Sequence, residues 1–146
     1  MPAAKPPEHR LGFSLIQSSR APLEKVWEAA TQAKHLNQFF TDGAKGDITP
    51  LLKPVLWKWK NWGSALITIT ECELHRSVQF HWKSPGSEET IVRFEFKREK
   101  GKTVVRVYEA GWKVEHVDQA FDHCGGWSEW LCGLKAYVQH RIDLRK

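Results

Sequence analysis

The stretch DQAFDHCGGWSEWLCGLKAYVQHRIDLR, residues 118–145, decides the fold that the sequence predicts. Its apolar side chains recur at steps of three and four, which places them on one face of a helix: Cys124, Trp127, Leu131, Leu134, Val138 and Ile142. Gly125 and Gly126 each cost about 1 kcal/mol relative to Ala inside a helix, so we expect regular helix to begin near Gly126. Residues 118–124 would then form a shorter, mobile segment before it.

Short helices and alternating strands precede this closing helix. A strand over Leu11–Ser18 is followed by a helix that starts after Pro22 and by a second short helix over Lys34–Phe40. From Val55 onward apolar and polar residues alternate between turn signals, a pattern typical of antiparallel strands. The sequence therefore predicts an α+β fold: a curved antiparallel sheet of six to seven strands wrapped around a long C-terminal helix, with two short helices after strand one.

Length and composition favour one soluble globular domain. The chain has 146 residues, 41% of them hydrophobic and 27% charged, and no apolar run approaches the roughly 20 residues of a membrane span. Residues 1–10 are rich in Pro and charge and are predicted to be a flexible arm, leaving 11–146 as the domain. The net charge of +5 is spread along the chain without a basic block, so we expect no nucleic-acid partner. Three cysteines give no disulfide framework, which favours a cytoplasmic protein with reduced thiols.

The order of elements and several short motifs resemble the helix-grip fold of the START-like (SRPBCC) superfamily. Within it, the chain is similar to the branch that contains activators of the ninety-kilodalton heat-shock protein ATPase. The residues that carry this resemblance are Val26-Trp27, Phe39-Phe40, Trp82, Gly101-Lys102-Thr103-Val104-Val105, Glu109-Ala110-Gly111, Gly126-Trp127, Leu131 and Leu134-Lys135.

The resemblance implies a cavity between the concave face of the sheet and the closing helix, and cavities of this kind hold apolar ligands with a few polar anchors. The side chains expected to line it are Trp57, Trp59, Ile67, Ile69, Phe80, Trp82, Phe94, Val107, Glu109, Trp127, Leu131 and Leu134. The alternative is that the eight tryptophans of the chain fill this space completely.

Glu109 has two interpretations, because alternation places its carboxylate on the apolar face with Val105 and Val107. It could anchor a ligand, or it could reach water or a neighbouring Lys or Arg at the strand end. Asp122 and His123 could form an acid–base pair, or they could reflect only the electrostatics of a helix start. The seven histidines match no metal-binding pattern, and we predict no catalytic residue, metal or cofactor.

Three functions remain open, and the first is favoured. A small apolar or aromatic molecule could bind in the cavity; the chain could regulate the ninety-kilodalton heat-shock protein ATPase through surface contacts with that chaperone; or it could be a cyclase or dehydratase-like enzyme. Because only Glu109 points to chemistry, the sequence favours a binding protein over an enzyme. It does not determine the oligomeric state.

Overall fold

The computed structural model describes residues 10–146, so the predicted flexible arm lies outside the described part except for Arg10, which starts the first strand. The elements in chain order are β1 Arg10–Ser19, α1 Leu23–Thr31, α2 Ala33–Phe39, β2 Val55–Trp59, β3 Gly63–Glu73, β4 Ser77–Trp82, β5 Thr90–Glu99, β6 Lys102–Lys113 and α3 Val117–His140. A 3-10 turn at Val114–His116 leads into α3. This arrangement confirms the predicted α+β class, the two short helices after strand one and the closing long helix.

The six strands form one sheet in the order β1-β6-β5-β4-β3-β2, with every neighbouring pair antiparallel. Alternate residues face inward, so cross-strand neighbours such as Val78, Phe94 and Val107 form continuous rows of buried side chains. The register shifts between Leu11 and Gly12 and between Ile69 and Glu71, and such irregularities increase strand twist and bend. The apolar face of the sheet therefore curves towards the helices that cover it.

Helix α3 begins at Val117, so the prediction that regular helix starts near Gly126 was wrong. Contacts on both sides of the glycines explain this. Before them, the Gln119 side chain accepts hydrogen bonds from Ser87 Oγ and from the Glu88 backbone N–H; after them, Trp127 is buried. Because tertiary packing supplies most of a helix's stability, it outweighs the cost of two glycines.

The C-terminal end of α3 also differs from the prediction. The helix ends at His140, because Arg141 adopts left-handed φ and ψ angles of 55° and 35°. Ile142, predicted to continue the apolar stripe, therefore lies past the helix and is exposed. The buried face instead includes Trp130 and Tyr137, which are not among the six residues predicted for the apolar face.

The outer edge of β2 is covered by the segment after α2. Lys45 and Leu56 exchange backbone hydrogen bonds, and the carbonyl of Lys58 accepts bonds from the backbone N–H groups of Asp42 and Gly43. These bonds fix Phe40 beside the strand, where its carbonyl accepts a hydrogen bond of 3.1 Å from Trp59 Nε1. The pairing of this edge thus helps to form one side of the site described below.

Two further properties concern residues 10–146 as a whole. None of the helices there is long and apolar enough to cross a membrane. The same residues contain no group of three or more His, Cys, Asp or Glu side chains arranged to hold a metal ion.

Candidate ligand-binding pocket

An open pocket of about 770 Å³ lies between the middle of α3 and the tryptophan-rich end of the sheet. Seven of its lining residues are aromatic: Phe39, Phe40, Trp59, Trp62, Trp82, Trp127 and Trp130. The remaining lining residues are Asp122, His123, Gly126, Ser128, Glu129, Cys132, Gly133, Leu144 and Arg145. Its volume falls in the usual range for small-molecule sites, and its lining combines many apolar side chains with few polar ones.

Four indoles, Trp59, Trp62, Trp82 and Trp127, form what we call the tryptophan wall. The ring centroids of Trp59 and Trp62 are 4.7 Å apart, those of Trp62 and Trp82 are 6.3 Å apart, and those of Trp82 and Trp127 are 5.7 Å apart. These distances are typical of interacting aromatic rings. Trp62 is 45% exposed and lies at the rim, whereas Trp82 and Trp127 are buried deeper in the wall.

Phe40 joins the sheet side of the pocket to the helix side. Its ring lies 5.2 Å from that of Trp59 and 6.3 Å from those of Trp127 and Trp130. On the far side it packs edge-on against Trp57 at 5.3 Å. Since Trp57 is fully buried, Phe40 separates the open pocket from the core behind it.

The carboxylate of Glu109 lies directly behind the wall and is 1% exposed. Its Oε1 accepts hydrogen bonds from Trp127 Nε1 at 2.7 Å and from His123 Nδ1 at 2.8 Å. Its Oε2 accepts bonds from Trp82 Nε1 at 2.8 Å and from Thr90 Oγ1 at 2.6 Å. Four donors match the acceptor capacity of an ionised carboxylate, which explains how this charge is tolerated inside the core.

His123 occupies the inner end of the pocket and is held at both ring nitrogens. Nδ1 is hydrogen-bonded to Glu109, and Nε2 is hydrogen-bonded to the Ser84 hydroxyl, 2.8 Å away. The ring also packs edge-on against Trp82 at 5.7 Å and Trp112 at 5.1 Å. This arrangement orients the imidazole, and it leaves neither nitrogen free for a ligand.

Charged groups lie only at the rim of the pocket. Asp122 and Glu129 are exposed on α3. Arg145 also lines the pocket, but its Nε and Nη2 donate to the two carboxylate oxygens of Asp143 at 3.0 and 3.1 Å, and its Nη1 lies 3.7 Å from Asp42. The hydrogen bonds from Arg145 lower the pKa of the Asp143 carboxyl. The one cationic side chain at the rim among the described residues is thus already paired with two carboxylates.

The structure separates the twelve residues expected to line the cavity into two groups. Trp59, Trp82 and Trp127 line the open pocket. The other nine pack behind it in the closed core: Trp57, Ile67, Ile69, Phe80, Phe94, Val107, Glu109, Leu131 and Leu134. Under α3, next to Leu131 and Leu134, the remaining space is only about 10 Å³. The open volume therefore lies at the mouth of the grip, because large side chains fill its interior.

The sequence interpretation of Glu109 as reaching water or a Lys or Arg was wrong, because its partners are two indoles, a hydroxyl and an imidazole. The suggested pair of Asp122 and His123 does not form either, since His123 is bound to Glu109 and Ser84 while Asp122 is exposed. Both residues lie in the second turn of α3 or beyond, so the helix-start explanation does not apply to them.

Several lining residues escaped the sequence reasoning. Trp130 lies three residues after Trp127, so helical spacing alone could have identified it as an inward neighbour. Phe40 carried part of the family resemblance, but no periodicity marks its position just past α2. Trp62 lies in the turn between β2 and β3, where alternation gives no direction for a side chain.

Residues 20–139 match the family described as "Activator of Hsp90 ATPase homolog 1-like protein", which covers most of the chain. The chain belongs to this family. The match includes the pocket-lining parts of α2, β2, β4 and α3. A comparison of the sequence with curated proteins gave no significant match.

Several solved structures share the fold of this chain at low sequence identity. SSP2350 from Staphylococcus saprophyticus superposes with a TM-score of 0.80 at 20% identity, covering 92% of this chain and 96% of that one. DynU16, a protein of the dynemicin biosynthetic locus, has a TM-score of 0.79 at 18% identity, covering 92% and 49%. The Aha1 dimer from Colwellia psychrerythraea has a TM-score of 0.73 at 16% identity, covering 89% and 97%. At these identities the likeness concerns the fold alone.

Proposed function

We propose that this domain binds a small hydrophobic, aromatic molecule in the pocket between the tryptophan wall and α3. The observation that carries the proposal is an open volume of about 770 Å³ with seven aromatic lining residues. Burying aromatic surface against such a wall is favourable at roughly 25 cal/mol per Å² of apolar area, before the cost of immobilising the ligand. Because Trp62 is exposed to solvent while Trp82 and Trp127 are buried, we expect the ligand to enter the pocket past Trp62.

The indole N–H resonances of the eight tryptophans provide a direct test. We would titrate the ¹⁵N-labelled protein with 2-naphthol, a flavanone and a twelve-carbon fatty acid. Binding in the pocket should shift the signals of Trp62 and the other wall residues, whereas Trp27, which packs against Phe96 on the other side of the core, should not move. If none of the three probes shifts a wall resonance at millimolar concentration, the proposal fails.

Two adjacent glycines offer a matched pair of variants. Gly126 lines the pocket and Gly125 does not, yet a Cβ added at either position meets no atom within 4 Å. Gly126→Leu should place its side chain in the pocket and weaken the binding of any active probe about tenfold or more, while Gly125→Leu should leave it within about twofold. Equal binding by both variants would place the ligand elsewhere.

Regulation of the ninety-kilodalton heat-shock protein ATPase is a second candidate function. It is supported by the family and by three exposed apolar residues at helical spacing before and within α3: Val114, Val117 and Phe121, the last of which is 72% exposed. An assay of the purified chaperone's ATPase activity, with and without this domain, tests it. Stimulation that Phe121→Ser removes would support this function, and no association with the chaperone would exclude it.

An enzymatic role receives less support. A general acid or base must reach the substrate with a free nitrogen or oxygen, but both nitrogens of His123 already have protein partners.

The proposal also includes a cytoplasmic location. Cys72, Cys124 and Cys132 carry free thiols, as expected in a reducing compartment. Detection of the protein in an extracellular or periplasmic fraction would contradict that location.

A further inference from the structure

We infer that the ligand of this pocket is a cation, an aromatic or apolar molecule that carries a quaternary ammonium or protonated amine. This inference rests on the proposed function and adds the charge of the ligand to it. Three features of the structure support it: the direction of the indole N–H groups, the buried carboxylate behind the wall, and the balance of charges at the rim.

Three of the four indoles of the tryptophan wall direct their hydrogen-bond donors away from the pocket. Trp59 Nε1 donates to the Phe40 carbonyl, and the Nε1 atoms of Trp82 and Trp127 both donate to Glu109. The Nε1 of Trp130 is itself inaccessible. A ligand next to these three residues therefore meets no indole N–H that could solvate an anion, whereas a π face that it meets attracts a cation.

Glu109 strengthens this preference from behind. A hydrogen bond from an indole N–H to a carboxylate shifts electron density into the ring, and two rings of the wall make this bond to the same buried group. The negative face of each ring then attracts a cation more strongly than an isolated indole does. Because the Glu109 carboxylate is buried and both of its oxygens are bound by protein groups, we attribute its effect to this polarisation and not to a free charge in the pocket.

The rim adds negative charge. Asp122 and Glu129 are exposed at the mouth, and neither has an ion-pair partner among the described residues within 4 Å. An anionic ligand would have to displace Asp143 and Asp42 from Arg145. A cationic ligand would meet two uncompensated carboxylates instead, which favours its approach.

The protein's own cations do not occupy the wall. Within residues 10–146, the two contacts of a cation with an aromatic ring are Arg106 over Tyr108 and Arg141 over Tyr137, both outside the pocket. No cation of the described residues therefore competes for the exposed ring of Trp62 at the rim.

Three phenols of nearly equal shape separate charge from size: 4-hydroxyphenyltrimethylammonium, neutral 4-tert-butylphenol and anionic 4-hydroxybenzenesulfonate. Isothermal titration calorimetry should give a Kd for the cation about tenfold lower than for either of the others. A plain hydrophobic pocket would prefer the tert-butyl compound, because that group is far less hydrated than an ammonium. If the neutral or anionic compound binds as tightly as the cation, the inference is overturned while the proposed function stands.

Absence of binding by all three compounds would overturn the inference as well, and the proposed function is then judged by its own probes.

Asp122→Asn combined with Glu129→Gln should weaken the binding of the cation severalfold and leave the binding of 4-tert-butylphenol unchanged. Glu24→Gln, an exposed carboxylate on α1, is the matched control and should change neither. Trp62→Leu should reduce the preference for the cation over the neutral compound, because it replaces an exposed aromatic ring by an aliphatic side chain. Since Trp62 lies at the surface, the variant should still fold. An unchanged preference in both pocket variants would also count against the inference.

Discussion

Glu109 links the inner parts of the site at the scale of a single residue. Its carboxylate receives hydrogen bonds from β4, β5 and α3, so it holds two wall tryptophans and His123 in fixed orientations. A buried charge is tolerated only when its hydrogen-bonding capacity is satisfied, and here the protein supplies every partner. The wall is therefore organised before any ligand arrives.

Glu109→Gln should lower the free energy of unfolding by about 3 kcal/mol, because the new amide group would face obligate donors such as Trp82 Nε1 or Trp127 Nε1. Urea unfolding measures this loss. Glu99→Gln is the control: its carboxylate forms an exposed pair with Lys97 at 3.4 Å, and its removal should cost no more than about 0.5 kcal/mol. Similar midpoints for the two variants would show that the four bonds to Glu109 contribute little.

At the scale of elements, α3 combines two opposed properties. Its glycines are unfavourable in a helix, yet Gly126 leaves the pocket open on that side. Contacts of Gln119 and His123 before the glycines and of Trp127 after them keep the helix continuous through both positions. The helix is thus locally less stable at Gly126, where a larger side chain would fill the pocket.

Gly125→Ala together with Gly126→Ala should raise stability by about 2 kcal/mol, since both residues are helical and a Cβ meets no neighbour. Each 1 kcal/mol corresponds to a rise in Tm of about 2–4 °C for a domain of this size, which calorimetry can measure. Gly101→Ala should do the opposite, because Gly101 has a φ of +78°, which disfavours residues with a Cβ. A double variant that melts at or below the Tm of the parent would contradict this account.

At the scale of the whole molecule, Glu88 joins the segments that lead into α3. Its carboxylate accepts bonds from Arg10 in β1 at 3.0 Å, from the backbone N–H of Lys113 at 3.1 Å, and from His116 in the 3-10 turn. Burial alone would raise the pKa of Glu88, but the bonds from His116, Lys113 and Arg10 outweigh burial and lower it from its ordinary 4.5.

This shift predicts how stability depends on pH. Because folding lowers the pKa of Glu88, its contribution is fully present above about pH 4.5 and is lost as the pH falls through the lower value of the folded state. Glu88→Gln should therefore flatten the loss of stability below about pH 5 in urea unfolding at a series of pH values. Glu89→Gln, at the exposed neighbouring position, should keep the slope of the parent, and equal slopes for both variants would refute the role of Glu88.

Periodicity in the sequence determined the face on which most of the predicted core side chains lie, and that was enough for much of the fold. Alternation placed Val105, Val107 and Glu109 on the inner face of β6, and steps of three and four identified Trp127, Leu131 and Leu134 on α3. These patterns are local, because they depend only on the geometry of one strand or one helix. The α+β class and the closing helix followed from them.

The tertiary structure alone decided which side chains meet and where space remains. Glu109 meets Trp82, Trp127 and His123, which lie 27, 18 and 14 residues away in the chain. The glycines stay helical because of contacts made by distant loops, and the pocket lies at the mouth because Trp57, Phe80 and other large side chains fill the interior. Packing depends on the volumes of side chains from separate elements, and no pattern within one element contains that sum.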